Sequence, residues 1–322
     1  MIKVKNLSNN NYLAWDSFVR SANNGTIFHL REFLNYHPED RFKDNSLEFY
    51  KDNKLLSVFP AADVSKDGKR ILVSHPGSSY GSFVTKDDLS IKDAIAMVQE
   101  LNIFAKKESF DGIQMTMPPS FYSNRISNYI EYALLSSGFD YSKREITSTL
   151  TLEKNKESIL KKFKPSHQRA VKKSRKRGVE IKITNEVDEF FSILETNLKI
   201  RHDVKPTHTI DELKTLIKLF PEEINVFSAF YNHQMIAGVL NIIVKEDVAL
   251  AFYISHKNEF QELRPLNLLF FNIFKWAITK NIKMYDFGTF TVDGVANMGL
   301  GRFKENFGAS GVFRDSLKIL FK

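Results

Sequence analysis

The chain contains the same pattern twice, and a repeat constrains the fold before any motif does, because both copies must bury their apolar faces in one way. Phe49-Tyr50 opens an apolar segment running to Pro60, and Phe230-Tyr231 opens another running through Val244; polar patches, Lys51 to Lys54 and Asn232 to Gln234, mark a turn in each. Further on, Ile71-Leu72-Val73-Ser74-His75 echoes Ala251-Phe252-Tyr253-Ile254-Ser255-His256. Phe49 to Phe230 and Ser74 to Ser255 are both separated by 181 residues. Helix-period segments follow (Ile91 to Lys107; Leu266 to Lys280), then short strands ending in Gln114-Met115 and Asp286-Phe287. Here the separation, Ala105 to Ala277, is 172, so the second copy has a loop shorter by nine residues. Strand, strand, helix, strand in that order, twice, predicts an α/β fold with mixed sheets in two tandem domains. Their bounds are placed at 1–150 and 151–322, with the C-terminal strand 312–321 joining the first.

A length of 322 residues with 43% hydrophobic content is enough for two cores. The longest apolar stretch, Pro265 to Phe274, falls short of the roughly 18 residues of a membrane-spanning helix and is interrupted by Asn267 and Asn272. The N-terminus opens on Asn-rich polar sequence rather than a signal-peptide core, so a cytoplasmic location is expected. The absence of cysteine excludes disulfides, Cys-ligated zinc and thiol nucleophiles. None of the eight histidines forms a His-Glu-x-x-His pair, and neither a metal nor a tightly bound cofactor is expected. The formal charge of +8 favours an anionic partner.

That charge is concentrated between the copies. The run from Lys161 to Gly178 has no acidic residue, with Pro165 suited to a first helical position and Gly178 to the C-terminal cap. Arg169, Lys172, Lys173 and Lys176 fall at i, i+3, i+4 and i+7, one cationic helix face that either binds an anion or is simply solvated. After it, Val179 to Ile183 alternates as a strand, a helix begins near Glu186, and Thr209 with Glu212 makes a capping box.

Two further groups are candidates for chemistry. In Gln261-Glu262-Leu263-Arg264-Pro265-Leu266-Asn267, Pro265 starts a helix whose first amides, with the Arg264 guanidinium, make a seat for phosphate or carboxylate; Asn267 is a polar interruption that needs partners if buried. In Tyr285-Asp286-Phe287-Gly288, Asp286 ends a strand, where α/β folds place functional side chains. The Asp-Phe-Gly and Gly299-Leu300-Gly301 matches to kinase and nucleotide motifs lack the rest of those motifs.

On the basic helix ending Lys-Arg-Gly-Val-Glu-Ile, on Leu263 to Ala277, on Tyr285 to Gly288 and on Gly301-Arg302-Phe303-Lys304-Glu305-Asn306-Phe307-Gly308, the chain resembles the FemABX aminoacyl transferases of the GNAT acyltransferase superfamily. In the first half the similarity is carried by Thr26 to Leu30 and by Pro76 to Gly81. The resemblance implies two GNAT-like domains and transfer of an acyl or aminoacyl group, from acyl-CoA or aminoacyl-tRNA, to an amine on a cell-envelope precursor such as peptidoglycan. It implies anionic partners, whether tRNA, a CoA thioester or a pyrophosphate-linked precursor, and a membrane surface is a further candidate contact. Asp286 is expected to accept or relay the amine proton, Lys304 to point into the substrate cleft, and backbone N–H groups from Tyr253 to Ser255 to stabilise the oxyanion. The turn at Gln261 to Leu266 departs from the Gln/Arg-x-x-Gly-x-Gly/Ala pattern of coenzyme A users, lacking both glycines, and no long helical insertion of the tRNA-dependent kind is evident. Acetyl-CoA-dependent acetylation of a polysaccharide or small amine, and non-catalytic binding of RNA or another anion, stay open as alternatives.

Overall fold

The computed structural model describes the chain except residues 9–10, 39–40, 157, 185–186, 203–205 and 322, with the side chains of 201–202 also outside it. Two compact units divide it, Met1–Glu145 with Phe313–Lys322, and Ile146–Val312.

In the first unit, β1 (Ile2–Asn6), α1 (Tyr12–Ser21), α2 (Arg31–Leu34), β2 (Lys43–Asp44), β3 (Leu47–Lys51), β4 (Lys54–Phe59), β5 (Ala62–Lys66), β6 (Lys69–Ser74) and β7 (Val84–Thr85) precede the long helix α3 (Ile91–Lys107). Then come β8 (Gly112–Thr116), α4 (Tyr129–Ser136) and β9 (Asp140–Thr151), whose last residues belong to the second unit. That unit continues with α5 (Ile159–Lys162), α6 (Pro165–Lys176), β10 (Glu180–Thr184), α7 (Val187–His202), α8 (Ile210–Leu219), β11 (Ile224–Tyr231), β12 (Gln234–Lys245), β13 (Val248–His256), α9 (Pro265–Thr279) and β14 (Met284–Thr289). A small hairpin, β15 (Thr291–Val292) and β16 (Val295–Ala296), leads to α10 (Met298–Glu305) and β17 (Ser310–Leu320), which finishes in the first unit. Glu186, the expected start of a helix, lies outside the described residues.

The strands of the first unit are ordered β1-β3-β4-β7 and β17-β8-β6-β5-β2; those of the second run β10-β11-β12-β13-β14-β9. The repeat is visible in backbone detail. Asp52 and Asn53 (φ 50 and 60) close the first hairpin, and Asn232 and His233 (φ 49 and 64) the second. Two consecutive positive φ values make the two-residue turn whose twist suits antiparallel strands. The ladder is irregular between Phe49 and Tyr50, and again between Ala229 and Phe230. Helices α3 and α9 end alike: Phe110 N–H donates to Ala105 O at 2.9 Å and Ile282 N–H to Ala277 O at 3.0 Å, with Ser109 and Asn281 left-handed just before.

The hairpins therefore align Tyr50 with Phe230, one residue away from the expected register. The parallel pairs Val73↔Gln114 and Leu250↔Asp286 align Val73 with Leu250, so the echo between Ile71 to His75 and Ala251 to His256 is four residues out. A slip by an even number leaves every side chain on its own face, and apolar alternation cannot detect it. A second difference follows from Pro60, which has no N–H to donate: β4 and β5 pair in separate sheets, whereas β12 runs unbroken for 12 residues.

Each unit has its own core. In the first, α3 lays Ala94, Met97, Val98 and Leu101 on Leu72, Ile113 and Leu317. In the second, α9 buries Leu268, Leu269, Phe270, Ile273, Phe274 and Ala277, and Phe163, Phe287 and Phe307 close round Phe270 and Phe274. Pro165 opens α6, Gly178 takes φ +83 just past its end, and the Thr209/Glu212 capping box forms.

Candidate functional site

In the second unit β13 and β14 pair in parallel only from Val248↔Met284 to Leu250↔Asp286. Beyond that point β13 runs on to His256, while β14 pairs with β9 on its other side. Leu240 faces Tyr253 but Asn241 faces Ala251, so Phe252 is the extra residue of a bulge, which turns backbone groups out of the ladder. A short 3-10 turn, Asn258–Leu263, leads to Arg264 in the left-handed region (φ 56, ψ 44) and Pro265 as the first residue of α9. The Asn267 N–H closes a tight turn on Arg264 O at 3.1 Å, and helix geometry leaves the Leu266 N–H without an intrahelical acceptor.

Here lies a cleft of about 540 Å³, lined by Ser255 and His256 at the end of β13, Arg264 and Asn267 at the start of α9, His167 of α6, Asn197 of α7 and Phe303 of α10. Asn197 braces one wall, its Nδ2 donating to Ser255 Oγ at 2.7 Å and His256 O at 2.6 Å. The opposite wall is less satisfied. Asn267 is 6% exposed, and its Nδ2 has no hydrogen-bond partner among the described residues; the same holds for His167 Nε2. Burial pushes the His167 imidazole down to about 4, the Arg264 charge acts in the same direction, and a contact with the Phe303 backbone opposes them.

The expected site residues fall into three places. Arg264 and Asn267 are on the cleft. Arg169, Lys172 and Lys176 are exposed on α6 and do not line it, and Lys173 is paired with Glu262 Oε2 at 3.4 Å. The acid-free run thus finds an acidic partner on a distant turn, in a solvent-screened pair that contributes little.

Asp286 and Lys304 form the third group. Asp286 is fully buried; its Oδ1 accepts from the Thr147 hydroxyl and from Gly288 N–H at 2.7 Å, clamping the irregular end of β14. Lys304, expected in the cleft, is 2% exposed, and its Nζ donates to Gly288 O at 2.7 Å and Thr289 O at 2.8 Å. Burial lowers its ammonium to about 8, with the Asp286 charge opposing. The reason is helical phase: Gly301 and Lys304 lie three apart on the buried side of α10, and the buried Phe307 follows just past its end, while Phe303 is only partly covered. Tyr253 does not line the cleft either; its hydroxyl meets His208 Nδ1 at 2.8 Å, and burial raises its pKa.

Sequence reasoning missed His167 and Asn197, and named Ser255 for its backbone N–H but not for its side chain. Asn197 reaches a hydroxyl 58 residues away. His167 sits two residues after Pro165, and only the packing of α10 and Arg264 around it distinguishes it from the other histidines. Among the described residues no group of three or more His, Asp or Glu could hold a metal ion, and no helix is long and apolar enough to cross a membrane.

Residues 161–305 match the family described as acetyltransferase (GNAT) domain. No curated protein matches the chain. Among solved structures, the fold is similar to that of FemX (TM-score 0.76, 12% identity, 99% of this chain and 97% of that one). It is also similar to a tandem GNAT protein from the clavulanic acid biosynthesis pathway (TM-score 0.61, 9% identity, 99% and 98%). A third similar structure is that of L-PGS from Bacillus licheniformis (TM-score 0.60, 9% identity, 96% and 91%). Residues 161–305, within the second unit, thus match an acetyltransferase (GNAT) domain, and the fold of the chain is similar to those of FemX and of a tandem GNAT protein.

Proposed function

We propose that the chain transfers an acyl or aminoacyl group from an activated donor, aminoacyl-tRNA or acyl-CoA, to an amine on a cell-envelope precursor such as peptidoglycan, with the chemistry in the second-unit cleft. The observation that carries this reading is that β13 loses its parallel pairing with β14 after Leu250↔Asp286 and runs on to line the cleft with Ile254, Ser255 and His256, an end of strand whose backbone N–H groups are our candidates for the oxyanion donors. Such donors stabilise the oxyanion that forms when an amine attacks a carbonyl. The amine lone pair makes the new C–N bond, the C–O or C–S bond of the donor breaks, and the leaving oxygen or sulfur carries away the electron pair and a proton released by the amine. Arg264, with the Leu266 N–H, holds an anionic part of the donor or acceptor. Asp286 and Lys304 act as positioning residues, because they tie down the end of β14 rather than face the cleft. The resemblance of the second half to the FemABX aminoacyl transferases motivates an envelope amine as acceptor, and the fold is similar to that of FemX over nearly both whole chains.

Acetyl-CoA-dependent acetylation of a polysaccharide or small amine is the second reading, favoured by the acetyltransferase match over residues 161–305. Against it, Arg264 and Leu266 stand where coenzyme A users carry glycine, and Pro265 removes a backbone donor. Mass spectrometry separates the two. The purified protein is incubated with acetyl-CoA, longer acyl-CoAs or charged tRNA, each with a muropeptide amine or glucosamine. A mass gain on the muropeptide amine supports the first reading, and a gain on glucosamine from acetyl-CoA alone supports the second. If no acceptor gains mass from any donor, both readings fail and the exposed cations of α6 become an anion-binding surface without chemistry.

A further inference from the structure

Helix α4 of the first unit carries apolar side chains on both of its sides. Ile130, Ala133 and Leu134 enter the core, while Tyr129, Tyr132 and Leu135 are exposed on the other side, and Ile126 is exposed just before the helix begins. A helix that is apolar all round belongs in an interior, yet half of this one faces out. Tyr129, Tyr132 and Leu135 fall three apart, so each adjoins the next. The patch continues onto β9 and β17. Glu131, one turn before Leu135, accepts from the Tyr141 hydroxyl at 2.6 Å, and the Arg144 guanidinium lies 4.3 Å from the centre of the Tyr141 ring and 4.1 Å from that of the exposed Phe313. All of these residues belong to the first unit. We propose that this face is the contact between two copies of the chain, with α4 packed against its counterpart about a two-fold axis.

Charge selects this occupant over a membrane. Segment 126–139 contains no Lys or Arg, and the Arg144 charge is already matched by Asp315, with Nε donating to Oδ1 at 2.9 Å and Nη2 to Oδ2 at 3.0 Å. A helix that lies on anionic lipid carries cations beside its apolar face, and α4 has none to offer. For two copies the same lack is favourable: a chain of formal charge +8 repels itself across its cationic surfaces and repels itself least across this face. Tyrosine, phenylalanine and a stacked arginine are also the residues in which protein–protein contacts are enriched. Half-exposed, the four rings of Tyr129, Tyr132, Tyr141 and Phe313 offer roughly 400 Å² per copy and the rest of the patch about 200 Å² more, which reaches the low end of specific interfaces and gives a weak dimer with Kd in the micromolar range.

Sedimentation velocity on the full chain tests this. The wild type should pass from monomer to dimer across the micromolar range, and Tyr132→Glu, at an exposed position, should weaken association at least about thirtyfold while melting as the dilute wild type does. Should Tyr132→Glu fail to fold, Leu135→Lys on the same face carries the same expectation. Because the chain has no cysteine, a single introduced thiol reports the contact directly. Tyr132→Cys, close to the two-fold axis, should give a disulfide-linked dimer under mild oxidation, whereas Lys172→Cys on α6 should not. A wild type that stays monomeric into the millimolar range overturns the proposal, as does a dimer that the charged variants leave intact, or equal cross-linking through both thiols. Vesicles of phosphatidylcholine with phosphatidylglycerol supply the remaining arm: a monomeric wild type that binds them, with binding lost in Tyr132→Glu, assigns the face to lipid and overturns the proposal as well.

Discussion

The first unit connects its parallel strand to its long helix through residues 75–90, and the second through residues 257–264. The longer connection folds back on its own strand. Gly81 donates to Thr116 O at 2.8 Å, and a Cβ at Gly81 would stand 2.2 Å from Ser74 O, so no other residue fits there. Tyr80 is buried against Phe28 and Tyr122, His29 Nε2 meets Gly81 O at 3.0 Å, and Arg314 donates to Ser79 O at 2.6 Å. The shorter connection makes one 3-10 turn and stops at Arg264, beside the cleft. In the first unit β6 and β8 stay paired to Ser74↔Met115, the end of β6, whereas β13 outruns its pairing with β14 by six residues, Ala251 to His256. One scaffold thus supports two outcomes: side chains of the first connection pack into the fold, whereas Gln261 and Arg264 of the second line the cleft.

The largest effect should come from the packed connection. Tyr80→Ala removes a fully buried ring and should cost about 3 kcal/mol or more in chemical unfolding. Arg264→Ala, at an exposed position, should change stability by less than about 0.5 kcal/mol and should lower transfer. If Tyr80→Ala is as stable as the wild type, or Arg264→Ala destabilises as much as Tyr80→Ala, the contrast between the units is broken.

Lys304→Met tests an intermediate case, a buried charge in the unit that holds the cleft. It leaves the carbonyls of Gly288 and Thr289 without their donor, so stability should fall by about 1–3 kcal/mol, and transfer should fall about tenfold as the end of β14 loosens. The pH dependence sharpens this. Folding lowers the Lys304 pKa from 10.5 to about 8, so between those values the unfolded chain binds the extra proton and stability rises with pH. Wild-type stability should therefore gain on that of Lys304→Met as pH rises from about 8 toward 10.5. Parallel pH profiles for the two proteins in urea unfolding would place the ammonium in solvent instead.

The smallest change in stability belongs to the exposed face of α6. Among the described residues, replacing Lys172, Lys173 and Lys176 together by Gln breaks only the Lys173–Glu262 ion pair and should alter unfolding by no more than about 1 kcal/mol. Binding of an anionic donor should weaken and lose part of its salt dependence. Titration calorimetry at two salt concentrations checks this, and unchanged binding would make α6 a solvated face.

Much of the framework was legible because local rules govern it. Pro165 and Gly178 bound a helix, Thr209 and Glu212 cap another, and the 172-residue separation of Ala105 and Ala277 survives as matching C-terminal hydrogen bonds. The candidate site was legible in part: Arg264 and Asn267 were found from a proline-started helix and a misplaced amide, and both reach the cleft. Lys304 is buried on α10 and bonded to Gly288 O and Thr289 O, a placement spacing could not give, since it identifies the faces of a short helix but not which of them is covered.

By itself the sequence determined that one supersecondary unit occurs twice, where its turns and caps fall, and that cysteine chemistry is excluded. Turn residues, caps and apolar periods act within a few positions of themselves, so these features need no distant partner. Tertiary structure alone decided the strand register, the burial of Asp286 and Lys304, and the meeting of His167 with Arg264 and Phe303. Thr147 and Asp286 lie 139 residues apart and Asn197 and Ser255 58, and no local preference can choose such partners. What chooses them is packing of the whole second core, which sets the local environment and so decides which polar atoms are shared, which are screened, and which remain for a substrate.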